Sequence, residues 1–179
     1  MEAKVKTRIT TKNLVITALF IALAFVGSYV KIYGTIAFDS LPGFLASLLL
    51  GPMYGMAIGF LGHIFSEITS GFPNGGVVMG FVIAVTMAIT MLGYGYSYKT
   101  MKDRVPEPVN LVITGIIGVI LNGPVSMAIS IGASAPMFGT TAALGLLAFL
   151  PVLVLASIVN IVLGEILFIS LEKVWKKTK

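Results

Sequence analysis

LPGFLASLLLGPMYGMAIGFLGHIFSEITSGFP, residues Leu41 to Pro73, decides the fold. Two apolar runs meet at Gly51-Pro52, a pair that interrupts a helix. The second run carries the chain's single histidine, His63, with Glu67 four residues on. Ionisable side chains are expensive in hydrocarbon, so a pair set in such a stretch belongs against protein or a wet cavity.

The rest of the chain has the same character. Of 179 residues, 57% are hydrophobic and 11% charged, and the mean hydropathy is +1.01, more apolar surface than a soluble domain of this size can bury. Apolar runs extend from Asn13 to Leu171, which reads as a multi-span membrane protein and not as one removable leader before a soluble domain. A helix needs about 20 apolar residues to cross a bilayer. Six spans are predicted, at about 12–31, 37–50, 53–70, 76–98, 108–131 and 142–171. The expected fold is therefore a single all-α integral membrane domain covering residues 1–179. The second span is short and reads as a tilted or incomplete crossing.

Basic residues set the orientation. Lys4, Lys6, Arg8 and Lys12 precede span one, Lys99, Lys102 and Arg104 follow span four, and Lys173, Lys176, Lys177 and Lys179 end the chain. The positive-inside rule puts all three groups, and hence both termini, in the cytoplasm, leaving only Lys31 at an outer end. The net charge of +5 follows this topology, and no nucleic-acid site is expected.

Sorted by depth, the polar residues then gather towards the outside. Asp39 opens span two, His63 and Glu67 share one face of span three, and Asn122, Ser126 and Ser130 recur every four residues on one face of span five. They predict an outward-facing polar site built from non-adjacent segments. For His63 and Glu67, ligand contact and a structural hydrogen-bonded pair are both open readings. A metal site is not expected, because zinc takes three or four ligands and the chain has no second histidine and no cysteine. In FDSLPGF, Phe38 to Phe44, Asp39 or Ser40 suits an N-cap with Pro42 in the first turn, and Asp39 also suits a ligand group. Phe72 tips the turn-rich TSGFPNGG, Thr69 to Gly76, and SIGASAPMFGTT, Ser130 to Thr141, is read as the matching outer loop. Asn160 and Glu165 fall outside the predicted site, Glu165 facing an inner basic residue or a partner protein.

No nucleotide-binding loop, GxSxG elbow, HExxH motif or paired intramembrane aspartates is present, so no enzyme activity and no cofactor are expected. Transport by this chain must draw energy from a partner or an ion gradient. A proton- or ion-coupled solo carrier and, at more remove, an intramembrane enzyme using His63 and Glu67 are the alternatives.

TALFIALAFVG in span one, with Ala18 and Ala22 at small-xxx-small spacing, FDSLPGFLASLLLGPMYGMAIGFLGH through spans two and three, and the loop SGFP together resemble the substrate-binding S components of energy-coupling factor (ECF) vitamin transporters. The resemblance covers essentially the whole chain. It implies a multi-pass protein of a prokaryotic cell membrane that binds a vitamin or precursor near the extracellular face with high affinity. It also implies docking, through Ala18 and Ala22, onto a transmembrane coupling subunit that carries two cytoplasmic ATPases. FDSLPGF, GH, the glutamate one turn on and SGFP look most like members assigned to α-ribazole, a benzimidazole riboside. On that reading Tyr29, Tyr33 and Phe72 offer stacking surfaces, and Asp39, His63, Glu67, Asn122 and Ser126 bond the ligand's hydroxyls.

Overall fold

The computed structural model describes residues 11–29, 31–32, 36–73 and 75–177. Helix α1 (Thr11–Gly27) leads through a two-residue ladder, β1 (Lys31–Ile32) with β2 (Ile36–Ala37), into α2 (Leu41–Leu49), α3 (Pro52–Ser70) and α4 (Gly76–Met101). Then come α5 (Glu107–Ile120), a π-helical turn (Leu121–Val125), α6 (Ser126–Phe138), α7 (Thr140–Leu144), a 3₁₀ turn (Gly145–Phe149) and α8 (Leu150–Lys177). Three helical runs, Gly76–Met101, Glu107–Phe138 and Thr140–Val174, are long and apolar enough to cross a membrane, and Thr11–Gly27 is a shorter apolar helix.

The fold is all-helical, as expected, apart from this two-residue ladder in the α1–α2 connection. Lys31 pairs with Ala37 and Ile32 with Ile36, antiparallel, and β-branched residues at both positions of the second pair favour extended backbone over continuation of α1. Helix α1 accordingly stops at Gly27. The chain returns beside that point, with the Phe38 N–H donating to the Gly27 carbonyl at 3.2 Å. A Cβ on residue 27 would lie 2.6 Å from the Phe38 carbonyl oxygen, so glycine is what lets the return pass and delivers Asp39 above α3.

Helix α2, at nine residues, spans only about 13 Å and cannot cross a bilayer. Pro42 through Leu49 are all buried, and α2 packs against α1, α3, α4 and α8. A helix apolar on every face is stable where every face is covered, and α2 is the central post of the bundle. Phe44, Leu45, Leu48 and Leu49 join Met87, Met91 and Tyr94 of α4, Leu111 of α5 and Ile161 and Phe168 of α8 in one core. Phe44 meets Tyr94 edge to face at 5.0 Å.

Glycines on α3 set the spacing to three neighbours. A Cβ would collide with Ser47 of α2 at Gly55, with Met91 of α4 at 2.7 Å at Gly59, and with Ala24 of α1 at 2.7 Å at Gly62. Around this centre the surface is apolar: Leu19, Val26, Val78, Phe81, Val112, Leu155 and Ile166 are all more than half exposed. Such continuous apolar exposure requires lipid or a partner.

The stretch Ser130 to Thr141, expected as a loop, is helix as far as Phe138. Its alanines, methionine and serines do not oppose helix, and the break falls at Gly139, whose φ of +85° lies in the region that favours glycine.

Candidate functional site

The bundle encloses a cavity of about 640 Å³, within the range of small-molecule sites. Asp39, His63, Glu67, Asn122 and Ser126 all line it, as does Ser130. Five separate parts of the sequence supply the wall: the entry to α2, α3, α4, the π turn with α6, and α7 through α8.

His63 is held between two carboxylates. Its Nδ1 lies 3.4 Å from Asp39 Oδ2, and its Nε2 lies 3.4 Å from Glu67 Oε1. The histidine and aspartate side chains are 13% and 12% exposed, and that of Glu67 only 3%, so the cluster faces the cavity and not bulk solvent. The capping expectation needs correction. Ser40 occupies the N-cap position of α2 without a side-chain capping bond, and the Asp39 carboxylate turns to His63 instead.

Phe72 stands beside the cavity and does not line it. It takes φ +57°, unusual for a residue with a Cβ, and its N–H donates to the Glu67 carbonyl at 3.0 Å. Gly80 makes room for the Phe72 ring: a Cβ there would sit 2.9 Å from Phe72 Cδ1 and 3.1 Å from Glu67 Oε2. Phe72 therefore backs Glu67. Tyr33 lies outside the described residues. Tyr29 is 64% exposed, edge to face with Phe25, and does not line the cavity either. Ala18 and Ala22 are exposed on α1, where with Ile21, Phe25 and Phe65 they border a separate apolar depression.

A second polar stretch continues the four-residue face one step further, to Ser134, which the loop expected from Ser130 to Thr141 had left off the helix. The Ser126 hydroxyl donates to Thr86 Oγ1 at 3.0 Å. The apolar wall was not anticipated. Met79, Ile83 and Met87 project from one face of α4, and Phe138 and Phe149 close the far side. The spacing of the α4 residues was readable, but nothing in it distinguishes a cavity wall from a packed core. Asn160 also lines the cavity, deeper than the predicted site extended. Glu165 does not: it accepts a hydrogen bond from the Tyr94 hydroxyl at 3.1 Å, a tyrosine where a basic residue or a partner was expected.

Chemically, the site offers two carboxylates, a histidine and neutral amide and hydroxyl groups, together with thioether and aromatic surface. Among the described residues no group of three His, Cys, Asp or Glu is arranged to hold a metal ion. No lysine or arginine is among the described lining residues. The arrangement suits reversible binding of a flat, amphipathic molecule that donates hydrogen bonds.

A sequence profile of the family described as "ECF transporter, substrate-specific component" matches residues 12–172. A protein of Clostridium acetobutylicum described as "Probable tryptophan transport protein" is 25% identical over 171 residues, covering 93% of this chain and 95% of its own length. No solved structure shows significant similarity to the chain.

Proposed function

The chain belongs to the substrate-specific components of ECF transporters, and from that premise we propose that it captures a small heterocyclic molecule in the cavity between α3, α4, α6 and α8 for import. Family membership implies an energy-coupling module with ATPases as partner and a transported substrate, with no chemistry done on it. In the proposed topology six segments traverse the membrane, the second made by the short α2 together with its flanking residues, both termini are cytoplasmic, and the cavity opens outward. Ala18 and Ala22 form the face that meets the coupling subunit.

One observation carries the reading: a single cavity is lined by Asp39, His63, Glu67 and Asn122 together with Met79, Met87 and Phe138. The polar groups accept hydrogen bonds from a ligand's hydroxyl or amine groups while the thioethers and rings cover a planar body. α-Ribazole fits as a neutral heterocycle with ribose hydroxyls as donors. Tryptophan is the second reading, favoured by the name of the clostridial relative. Its ammonium suits the carboxylates, whereas its carboxylate finds no lysine or arginine among the described lining residues.

Isothermal titration of the purified chain, in nanodiscs and without ATP, separates the two. Saturable one-to-one binding of α-ribazole in preference to tryptophan is the expected result. The reverse preference assigns the amino acid, and the absence of binding by both removes both substrates.

A further inference from the structure

We propose that Asn122 selects for an N–H or O–H donor on the occupant of the cavity, and that Ser157, behind the cavity wall, is the positioning residue that fixes this preference. The inference rests on reading the cavity as the substrate site.

Asn122 Nδ2 donates to Ser157 Oγ at 2.8 Å, and Ser157 Oγ donates to the Leu153 carbonyl at 2.7 Å. A hydroxyl has one proton. With that proton engaged by Leu153, Ser157 can only accept from Asn122. Turning the amide over would require Ser157 to give up the Leu153 carbonyl and donate to Oδ1, so the orientation that keeps both bonds leaves Oδ1 on the other side. That oxygen is buried and takes no hydrogen bond from the protein, although Asn122 is 4% exposed and lines the cavity. A buried acceptor is costly to leave unmatched, and a donor on the occupant of the adjoining cavity is the match we infer for it.

Local structure supports a ligand role. Asn122 sits in the π-helical turn that interrupts the α5–α6 run beside Pro124, an irregularity frequent at functional sites. Ser157 is fully buried and not part of the cavity wall, so it cannot touch the occupant itself. Further along the same wall, Ser126 donates to Thr86 and Ser134 to the Ile131 carbonyl. Their protons too are committed within the protein, which leaves lone pairs for the cavity. Donor-bearing molecules fit these three positions.

The test uses Asn122→Leu, Asn122→Asp, Ser157→Ala and Ser157→Thr in the full chain, titrated with α-ribazole and with tryptophan. With whichever compound binds the wild type, Asn122→Leu and Ser157→Ala are expected to lose about tenfold in affinity, the effect of one hydrogen bond. Ser157→Thr, which keeps the hydroxyl, is expected to stay close to wild type, whereas Asn122→Asp, which sets an oxygen against Ser157 Oγ in place of the donor, is expected to weaken binding as Asn122→Leu does. Unchanged affinity in Asn122→Leu and Ser157→Ala overturns the proposal.

If neither compound binds the wild type, the substrate reading fails by itself, and nitrogen-15 spectra of asparagine-labelled ligand-free protein decide the positioning claim. The side-chain amide signal absent from Asn122→Leu is expected to shift in Ser157→Ala and hold in Ser157→Thr. No shift in Ser157→Ala overturns it.

Discussion

His63 gains its meaning from two partners at different sequence distances. Glu67 was legible, because residues four apart on a helix share a face. Asp39 was legible only as a nearby outer carboxylate, since its approach to the other ring nitrogen depends on the chain returning past Gly27. Phe72 was misread for a related reason: its left-handed backbone turns the ring onto Gly80 and away from the cavity, and no sequence rule announces φ +57° at a phenylalanine. His63→Ala leaves Asp39 and Glu67 facing each other without the group between them, and Glu67→Ala removes an acceptor from the wall. Each variant is expected to insert and fold but to bind substrate about ten- to a hundredfold more weakly, the range for hydrogen bonds to charged groups. Titration calorimetry checks this, and wild-type affinity in both variants returns the trio to a purely structural role.

At the scale of elements, helix positions were readable from apolar runs, and so were some helix ends, whereas those at Gly27 and Phe138 were not. Gly51-Pro52 marked a true break, because Gly51 takes φ +111° and Pro52 opens α3. By contrast, Pro124 and Pro136 lie inside helical segments that continue through them. A widened turn absorbs Pro124, and Pro136 falls in the last turn of α6, so a proline there ends nothing by itself. The short α2 was recognised as an unusual crossing, but its central burial required tertiary structure. Its tightest contact with α3 is at Gly55. At Gly55 a Cβ would overlap Ser47 Oγ, and Ser47 itself donates to the Gly43 and Met91 carbonyls at 2.9 and 3.2 Å. Gly55→Val is therefore expected to push α3 from α2 and cost about 1–3 kcal/mol, as overpacked cores do. A thermal melt of the detergent-solubilised protein should show a clearly lowered midpoint, and an unchanged melt contradicts the packing account.

For the whole molecule, composition pointed to a multi-pass membrane protein, as the family and the long apolar helices also suggest, and most of the polar residues singled out in the sequence line one cavity. Its apolar half escaped notice because Met79, Ile83 and Met87 have the same helical spacing whether they face a cavity or a core. On the far surface, Ala18 and Ala22 are exposed beside Phe65, and their small size leaves room for a close helix contact. Ala18→Trp is expected to abolish uptake by the assembled transporter while leaving binding to the isolated chain unchanged, as cell uptake and calorimetry measured together would show. Retained uptake contradicts the coupling assignment.

The central claim, that this cavity holds the transported molecule, is tested most directly by mass spectrometry of small molecules extracted from the wild-type protein and from Ser130→Trp, whose indole fills the cavity. The account predicts a planar, donor-bearing heterocycle retained by the wild type and missing from a folded Ser130→Trp. Equal retention of the same compound by both proteins would contradict it.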